Sequence, residues 1–388
     1  MLRASLFYLP SVGSRAEIEQ GRVGLRGEPY DRMLAELAGQ AQLADELGYD
    51  SISFTEHHFH VEGFELSNNP VLLDLFVAMR TKRLRVGQLG LVLPAENPLR
   101  IAEDIAMLDH MSGGRANAGF ARGYQRRWVD VMAQQTHGIH GAQPHQHDAI
   151  DEANRAAFEE CFAIIKQAWT QDSLTYQGRY WRIPPGPTPW SLEATAKWGL
   201  GVKAGVVEAI SVVPKPVQKP HPPIYQPFAS SERSIRWCAR EGVIAILPPL
   251  FPPYERHLCE LYAEVSNRPL GQGVGVVRDL VIADSDQEAQ EIWRASGAFV
   301  GREWFKPFGF AKAMEDPATG EVPDLFEHGM ALVGSVDTVT RQLEGLLARL
   351  PITRLFAWMY SGLMSDAQIL RTIELFRTRV LPRVADLA

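Results

Sequence analysis

Cysteine is scarce in this chain: Cys161, Cys238 and Cys259 are the three among 388 residues, and none forms a C-x-x-C pair. That scarcity argues against a disulfide framework or a thiolate metal site, and a reducing cytoplasm is the expected compartment. No run of eighteen apolar residues occurs, so no helix is expected to cross a bilayer. The opening MLRASLFYLP turns polar too soon to hold the apolar core of a signal peptide. Positive charge is not in excess either. A formal charge of -7 favours solubility and gives no electrostatic case for nucleic acid or an anionic membrane. What remains is an ordinary globular composition, 46% apolar and 22% charged, sufficient for one large core or two ordinary ones.

Strand-like and helix-like segments alternate along most of the length. Strands are expected at 4–9, 51–54, within 83–93, ending at 117–120, and at 224–226, 243–247, 274–283 and 354–359. Helices are expected at 31–47, 71–79, 99–111, 152–169, 231–240, 252–265, 336–350 and 366–380, with Pro382 as a stop. The first helix carries a stripe of Leu34, Leu37, Ala38, Ala41 and Ala44. Residues 174–183 read as a small hairpin, and 206–213 as one strand inside a proline- and glycine-dense loop. Residues 293–326 resist assignment. Strand–helix units of this number point to an α/β protein, a (β/α)8 barrel forming one domain over 1–388. Irregular insertions at about 121–150, 172–222 and 293–332 would lie at its C-terminal face. An open doubly wound sheet would normally place G-x-G-x-x-G after its first strand, where this chain has YLPSVGS.

Chemistry is expected at the carboxyl ends of such strands. The stretch GYDSISFTEHHF ends the second strand in Glu56, His57 and His58. Neighbouring side chains of an extended segment point oppositely, so the two histidines rarely share one ion. No H-E-x-x-H occurs, and the loop bearing His137, His140, His145 and His147 has few carboxylates nearby. No metal is expected. Satisfied structural histidines are the plain alternative, more so for His58 than for His57. An imidazole in a barrel mouth is suited to proton transfer near neutrality, with Glu56 orienting it or anchoring a neighbouring strand. Beyond the fourth strand, Arg122 lies between Gly119 and Gly123. Guanidinium recognises phosphate in a planar, bidentate way. Ser230, Ser231 and Ser234 follow the fifth strand and open a helix, whose free N–H groups favour an anion or simply accept a serine cap. A single phosphorylated cofactor would account for both. Phe7, Phe59, Trp128 and Trp358 are candidates for an apolar substrate pocket.

With these motifs the chain resembles the bacterial luciferase-like, flavin-dependent monooxygenases. The resemblance covers nearly the whole length and rests on four blocks: GYDSISFTEHHF, RLRVGQLGLVLPAENPLRIAEDIAMLDHMSGGRANAGFARG, KPVQKPHPPIY and ALVGSVDTV. It implies a (β/α)8 barrel holding reduced FMN at the carboxyl ends of the strands. It implies O2 as co-substrate, a separate NAD(P)H:FMN reductase, a homodimer and no metal. His57 matches the family's active-site histidine, associated with the flavin C4a-peroxide that inserts one oxygen into an organic substrate. Arg122 matches the arginine that grips the FMN phosphate, and Ser230, Ser231 and Ser234 match the phosphate loop, with Ser230 replacing a glutamate of the luciferases. Gln88, Leu89 and Gly90 match a place beneath the flavin where a non-prolyl cis bond is frequent. Ala121 stands where the luciferases have a cysteine, so light emission from long-chain aldehydes is not implied. A deazaflavin-dependent hydride-transfer enzyme and a non-catalytic flavin-binding protein are the alternatives.

Overall fold

Strand β1 (Arg3–Tyr8) is buried at every residue but Arg3. Near-continuous burial of an apolar strand is the mark of a parallel sheet covered on both faces. Seven more parallel strands follow: β2 (Ser51–Phe54), β3 (Arg85–Gln88), β4 (Ala116–Ala121), β5 (Ile224–Pro227), β6 (Ile244–Leu247), β7 (Val274–Ile282) and β8 (Arg354–Met359). They pair in chain order, and β8 returns to β1 in a register running from Arg3↔Arg354 to Tyr8↔Met359. The link between β4 and β5 runs through Ala118↔Ile224 and Tyr225↔Gly119. The ring is therefore closed, an eight-stranded parallel barrel of the (β/α)8 kind, as the alternation of segments implies. A further short strand, Ala331–Gly334, pairs with the far half of β7. This computed structural model describes residues 2–134, 136–144 and 146–387.

Local chemistry fixes the helix ends. Helix α1 (Gly27–Leu47) closes on Gly48, whose φ of 76° suits the left-handed C-cap that glycine adopts without a Cβ clash. Helix α2 (Pro70–Ala78) opens with Asn69, whose side chain accepts from the Leu72 N–H at 3.0 Å, and has proline at its first turn. Helix α3 (Pro98–Met111) uses the same Asn-Pro start. Helix α4 (Ala149–Thr170) is capped by Asp148, and α5 (Glu232–Glu241) by Ser231. Helices α6 (Pro252–Ser266), α7 (Asp286–Ala295), α8 (Val336–Arg349) and α9 (Asp366–Leu375) complete the set that follows the later strands. The buried stripe of α1 is Met33, Leu37, Gln40, Ala41 and Ala44, rotated from the expected one so that Leu34 and Ala38 are only half-buried. Gln40 is tolerated there because it accepts from the Tyr8 hydroxyl at 2.7 Å. At the C-terminus, Pro382 does not stop the chain. Tight helical turns run on through Leu381–Leu387, since proline fits the first turn of a new helical segment.

Two compact units can be distinguished. The first comprises 1–91, 117–120 and 223–388 and contains the barrel. The second comprises 92–116 and 121–222. Within the second, Trp169 of α4 donates to the Ala102 carbonyl of α3 at 2.9 Å. The expected hairpin is present as Tyr176–Gln177 against Arg182–Ile183. Val206–Val207 is the middle of a three-stranded antiparallel sheet with Thr188–Pro189 and Val202–Lys203, where one isolated strand was expected. All three cysteines are free and buried, and no helix among the described residues is long and apolar enough to cross a membrane.

Candidate active site

Beyond the end of β2 the chain makes a pinned loop. The His57 N–H donates to the Ser67 carbonyl at 3.3 Å, and the Leu66 N–H to the Pro10 carbonyl at 2.7 Å. His57 is buried, and its Nε2 lies 3.4 Å from Glu65 Oε1. Glu56 is buried beside it. Glu56 pairs with His58, at 3.0 Å from Nε2, because alternate residues of an extended segment share a face. His60 joins from the same loop, with Nδ1 3.0 Å from the Phe64 carbonyl and 3.5 Å from Glu65 Oε2. From the third insertion, Trp304 Nε1 donates to Glu65 Oε2 at 2.7 Å. His57, His60 and Glu65 place potential ligand atoms within 4.8 Å of one another.

The aromatic chamber forms at the same end of the barrel. Phe7 and Trp358 are paired in the β1–β8 register, and their rings meet edge-on at 5.3 Å. Phe228, just past β5, lies 6.0 Å from Phe7 and 6.5 Å from Trp358. Phe305 closes on Trp358 at 5.6 Å, and Tyr360 stacks on it at 5.2 Å. Three residues around this face hold left-handed backbone: Phe59 (φ 65°), Glu65 (52°) and Phe228 (52°). Non-glycine residues pay steric energy there and are held by their surroundings, a condition that concentrates at functional sites. Phe59 is 47% exposed, with its ring 5.8 Å from His58. Trp128 belongs to the second unit, where it packs with Val92, Ala95 and Val129.

The floor of the chamber end is built from glycine and a buried acid. A Cβ on Gly119 would lie 1.7 Å from the Gln88 carbonyl oxygen, and one on Gly90 would lie 2.7 Å from the Gly119 and Phe120 backbone. Only glycine permits that approach of β4 to the turn after β3. The Leu89–Gly90 peptide is cis. Gln88 Nε2 donates to Asp74 Oδ2 at 2.5 Å, beneath this turn. Burial pushes the Asp74 carboxyl well above the usual carboxylate range, against the pull of the Gln88 and Gly87 donors. On β7, Asp279 accepts from Tyr360 Oη and from Trp293 Nε1, each at 2.6 Å, and burial raises its carboxyl as well. Asp74, Asp279, Glu65 and Trp304 escaped the sequence reading. A lone acid inside an apolar run, as in VLLDLFVA and VVRDLVI, is the signal that marks two of them.

The anion-suited residues stand as follows. Ser231 caps α5, its Oγ accepting from the Ser234 N–H at 3.3 Å and lying 3.1 Å from Ser234 Oγ. The Ser230 carbonyl accepts from Tyr254 Oη at 3.3 Å. Arg122 belongs to the second unit, where its guanidinium meets Asp151 at 2.6 Å. In the histidine loop, burial lowers His137, which sits between the Pro94 carbonyl and the Trp181 indole N–H at 2.7 Å each. His140 pairs with Asp130 at 2.9 Å, and His145 lies outside the described residues.

A family model for luciferase-like monooxygenases matches residues 16–354. The chain belongs to this family. It is 26% identical over 288 residues to the oxygenase component of a flavin-dependent trigonelline monooxygenase from Acinetobacter baylyi, covering 71% of this chain and 66% of that one. It is 26% identical over 239 residues to the alkanal monooxygenase alpha chain of Photorhabdus laumondii, covering 60% of this chain and 54% of that one. The match thus spans half to two thirds of these relatives' own lengths. The fold is shared with the oxygenating constituent of 3,6-diketocamphane monooxygenase from Pseudomonas putida, a type II Baeyer-Villiger enzyme in complex with FMN. That likeness has a TM-score of 0.73 at 20% identity, over 99% of this chain and 98% of the other.

Whether these residues suit a flavin can be judged from the barrel itself. Trp358 Nε1, Ser361 Oγ and Gln88 Oε1 are buried without a hydrogen-bond partner among the described residues. Polar atoms held this way beside an aromatic chamber and a flat glycine floor match a planar ring with polar edges. The serine-capped start of α5 matches a phosphate. These polar atoms and the helix start suit a flavin carrying a phosphate.

Proposed function

We propose that this chain is the oxygenase component of a two-component flavin monooxygenase, which uses reduced FMN and O2 to insert one oxygen atom into a small, largely apolar organic substrate. The observation that carries this reading is convergence on one barrel face. The chamber of Phe7, Phe228 and Trp358, the buried His57, and the glycine turn at Leu89–Gly90 all stand at carboxyl ends of strands. Reduced flavin, when bound, supplies the two electrons that activate dioxygen.

The protein's own part is positioning and exclusion. Phe7, Phe228, Trp358 and Phe305 would exclude water from the reacting region and receive the apolar substrate. Gln88, Leu89 and Gly90 would offer backbone to one face of the ring. Ser230, Ser231 and Ser234 would receive the phosphate at the start of α5, and Arg122 would add charge to phosphate binding. His57 would exchange a proton through its imidazole. A separate NAD(P)H:FMN reductase would deliver the reduced cofactor, and the working form would be a homodimer without metal. The test is anaerobic titration of the protein with reduced FMN, followed by oxygen admission in the presence of substrate candidates. Saturable binding and substrate-dependent oxygen uptake support the reading; no binding of FMN in either redox state contradicts it.

A further inference from the structure

Glu65 is buried, accepts from Trp304 Nε1 at 2.7 Å, and lies 3.4 Å from His57 Nε2 and 3.5 Å from His60 Nδ1. A carbonyl oxygen can only accept, so the 3.0 Å contact with Phe64 assigns the His60 hydrogen to Nδ1. An ionised Glu65 would likewise only accept, which would put a hydrogen on His57 Nε2. A neutral imidazole carries one N–H, so His57 Nδ1 then holds the lone pair.

We propose, building on the functional reading above, that Glu65 is a positioning residue for His57. Its carboxylate fixes the ring as the Nε2–H tautomer and makes Nδ1 the nitrogen that takes up and returns the proton, while Trp304 holds the carboxylate in place.

Three independent features support this. Glu65 keeps a left-handed φ of 52°, a steric cost retained at the residue that makes these contacts. The loop cannot swing freely, since the Val12 N–H donates to the Gly63 carbonyl at 2.8 Å, in addition to the Leu66 and His57 backbone bonds. Trp304 is itself fixed, stacked on Phe64 at 5.1 Å and edge-on to His60 at 5.0 Å. Placing an anion at one imidazole nitrogen raises the basicity of the other and stabilises the imidazolium.

Other charged groups border the loop, among them the half-buried Glu62. On the same loop, Glu56 is buried against His58. In the insertion packed on the loop, Arg302 and Glu303 are exposed and paired with each other at 2.7 Å, and Lys306 is exposed. On the turn Val23–Leu25, which abuts His60 and Val61, Arg22 is exposed and Arg26 faces Glu17 at 3.6 Å.

Glu65→Gln keeps the shape and an oxygen for Trp304 but removes the charge. Histidine nitrogen NMR across pH, with His57 assigned by its absence in His57→Gln, reads the tautomer directly. The wild type should show Nε2–H in neutral His57, and Glu65→Gln should lower its proton affinity roughly tenfold or more. Trp304→Phe removes the competing donor and should raise that affinity, the opposite sign. A merely structural role would move both variants together or neither. Nδ1–H in the wild type, or an unchanged His57 titration in Glu65→Gln, would overturn the proposal. Should Glu65→Gln not fold, the rise in Trp304→Phe decides alone, and its absence counts against the proposal. Oxygen uptake with reduced FMN separates the two levels. A wild type that takes up none defeats the functional reading, whereas the NMR result speaks only to Glu65.

Discussion

Gln88 donates from Nε2 to Asp74 Oδ2 at 2.5 Å, tying the last residue of β3 to an acid buried in α2. Burial, opposed by the Gln88 and Gly87 donors, raises the Asp74 carboxyl. A raised carboxyl keeps its proton in the folded state at pH values where the unfolded chain, near 3.9, has lost it. Between those two values the native state binds more protons, so stability falls as pH rises. Asp74→Asn removes the titration and retains a neutral acceptor. Urea unfolding at several pH values should show a shallower decline from acid toward neutral pH in the variant than in the wild type. Parallel curves would contradict the assignment.

Gly119 offers a steric test. An added Cβ would lie 1.7 Å from a backbone oxygen that cannot rotate away. Gly119→Ala should cost more than about 3 kcal/mol of stability. Gly345, exposed on α8 with open space around it, is the control; alanine there should stabilise by about 0.8–1 kcal/mol. Denaturant midpoints measure both, and equal midpoints for the two variants would refute the close approach of β4.

Trp358 separates packing from recognition. Trp358→Ala empties a buried ring contacted by Phe7, Phe228 and Phe305, and should cost about 3–5 kcal/mol. Trp358→Phe preserves most of the packing but removes the indole N–H. Its stability should change by less than about 1.5 kcal/mol, while FMN or substrate affinity falls roughly five- to thirtyfold, in line with loss of one buried hydrogen bond. Unchanged affinities for both would remove Trp358 from the site.

The phosphate assignments are tested by comparing FMN with riboflavin. Ser231→Ala should cost about 1 kcal/mol as a lost helix cap and also narrow the preference for FMN over riboflavin. Arg122→Ala should weaken FMN binding and leave riboflavin binding unchanged. Equal FMN dissociation constants in Arg122→Ala and wild type would leave Arg122 as the partner of Asp151 alone.

The strands and helices were legible because their signals are local. Residues 51–54 and 354–359 have the bounds expected from alternation, and Asn69-Pro70 and Asn97-Pro98 announce their helices by capping chemistry. The position of His57 just beyond β2 was legible. Its partner was not: Glu65 is eight positions on, and the pairing depends on a left-handed turn that composition does not encode. Trp304 lies 239 positions from Glu65, in a segment without periodicity, and only the closed fold unites them.

Oxygen insertion is the central claim, and isotope tracing addresses it most directly. The protein would be given chemically reduced FMN, 18O2 and a panel of small cyclic ketones and medium-chain aldehydes, with products read by mass spectrometry. The account predicts one 18O atom in a product. It also predicts that His57→Ala still binds FMN but diverts oxygen to free hydrogen peroxide. Products bearing only oxygen from water, with the wild type reducing or oxidising substrate independently of O2, would contradict it.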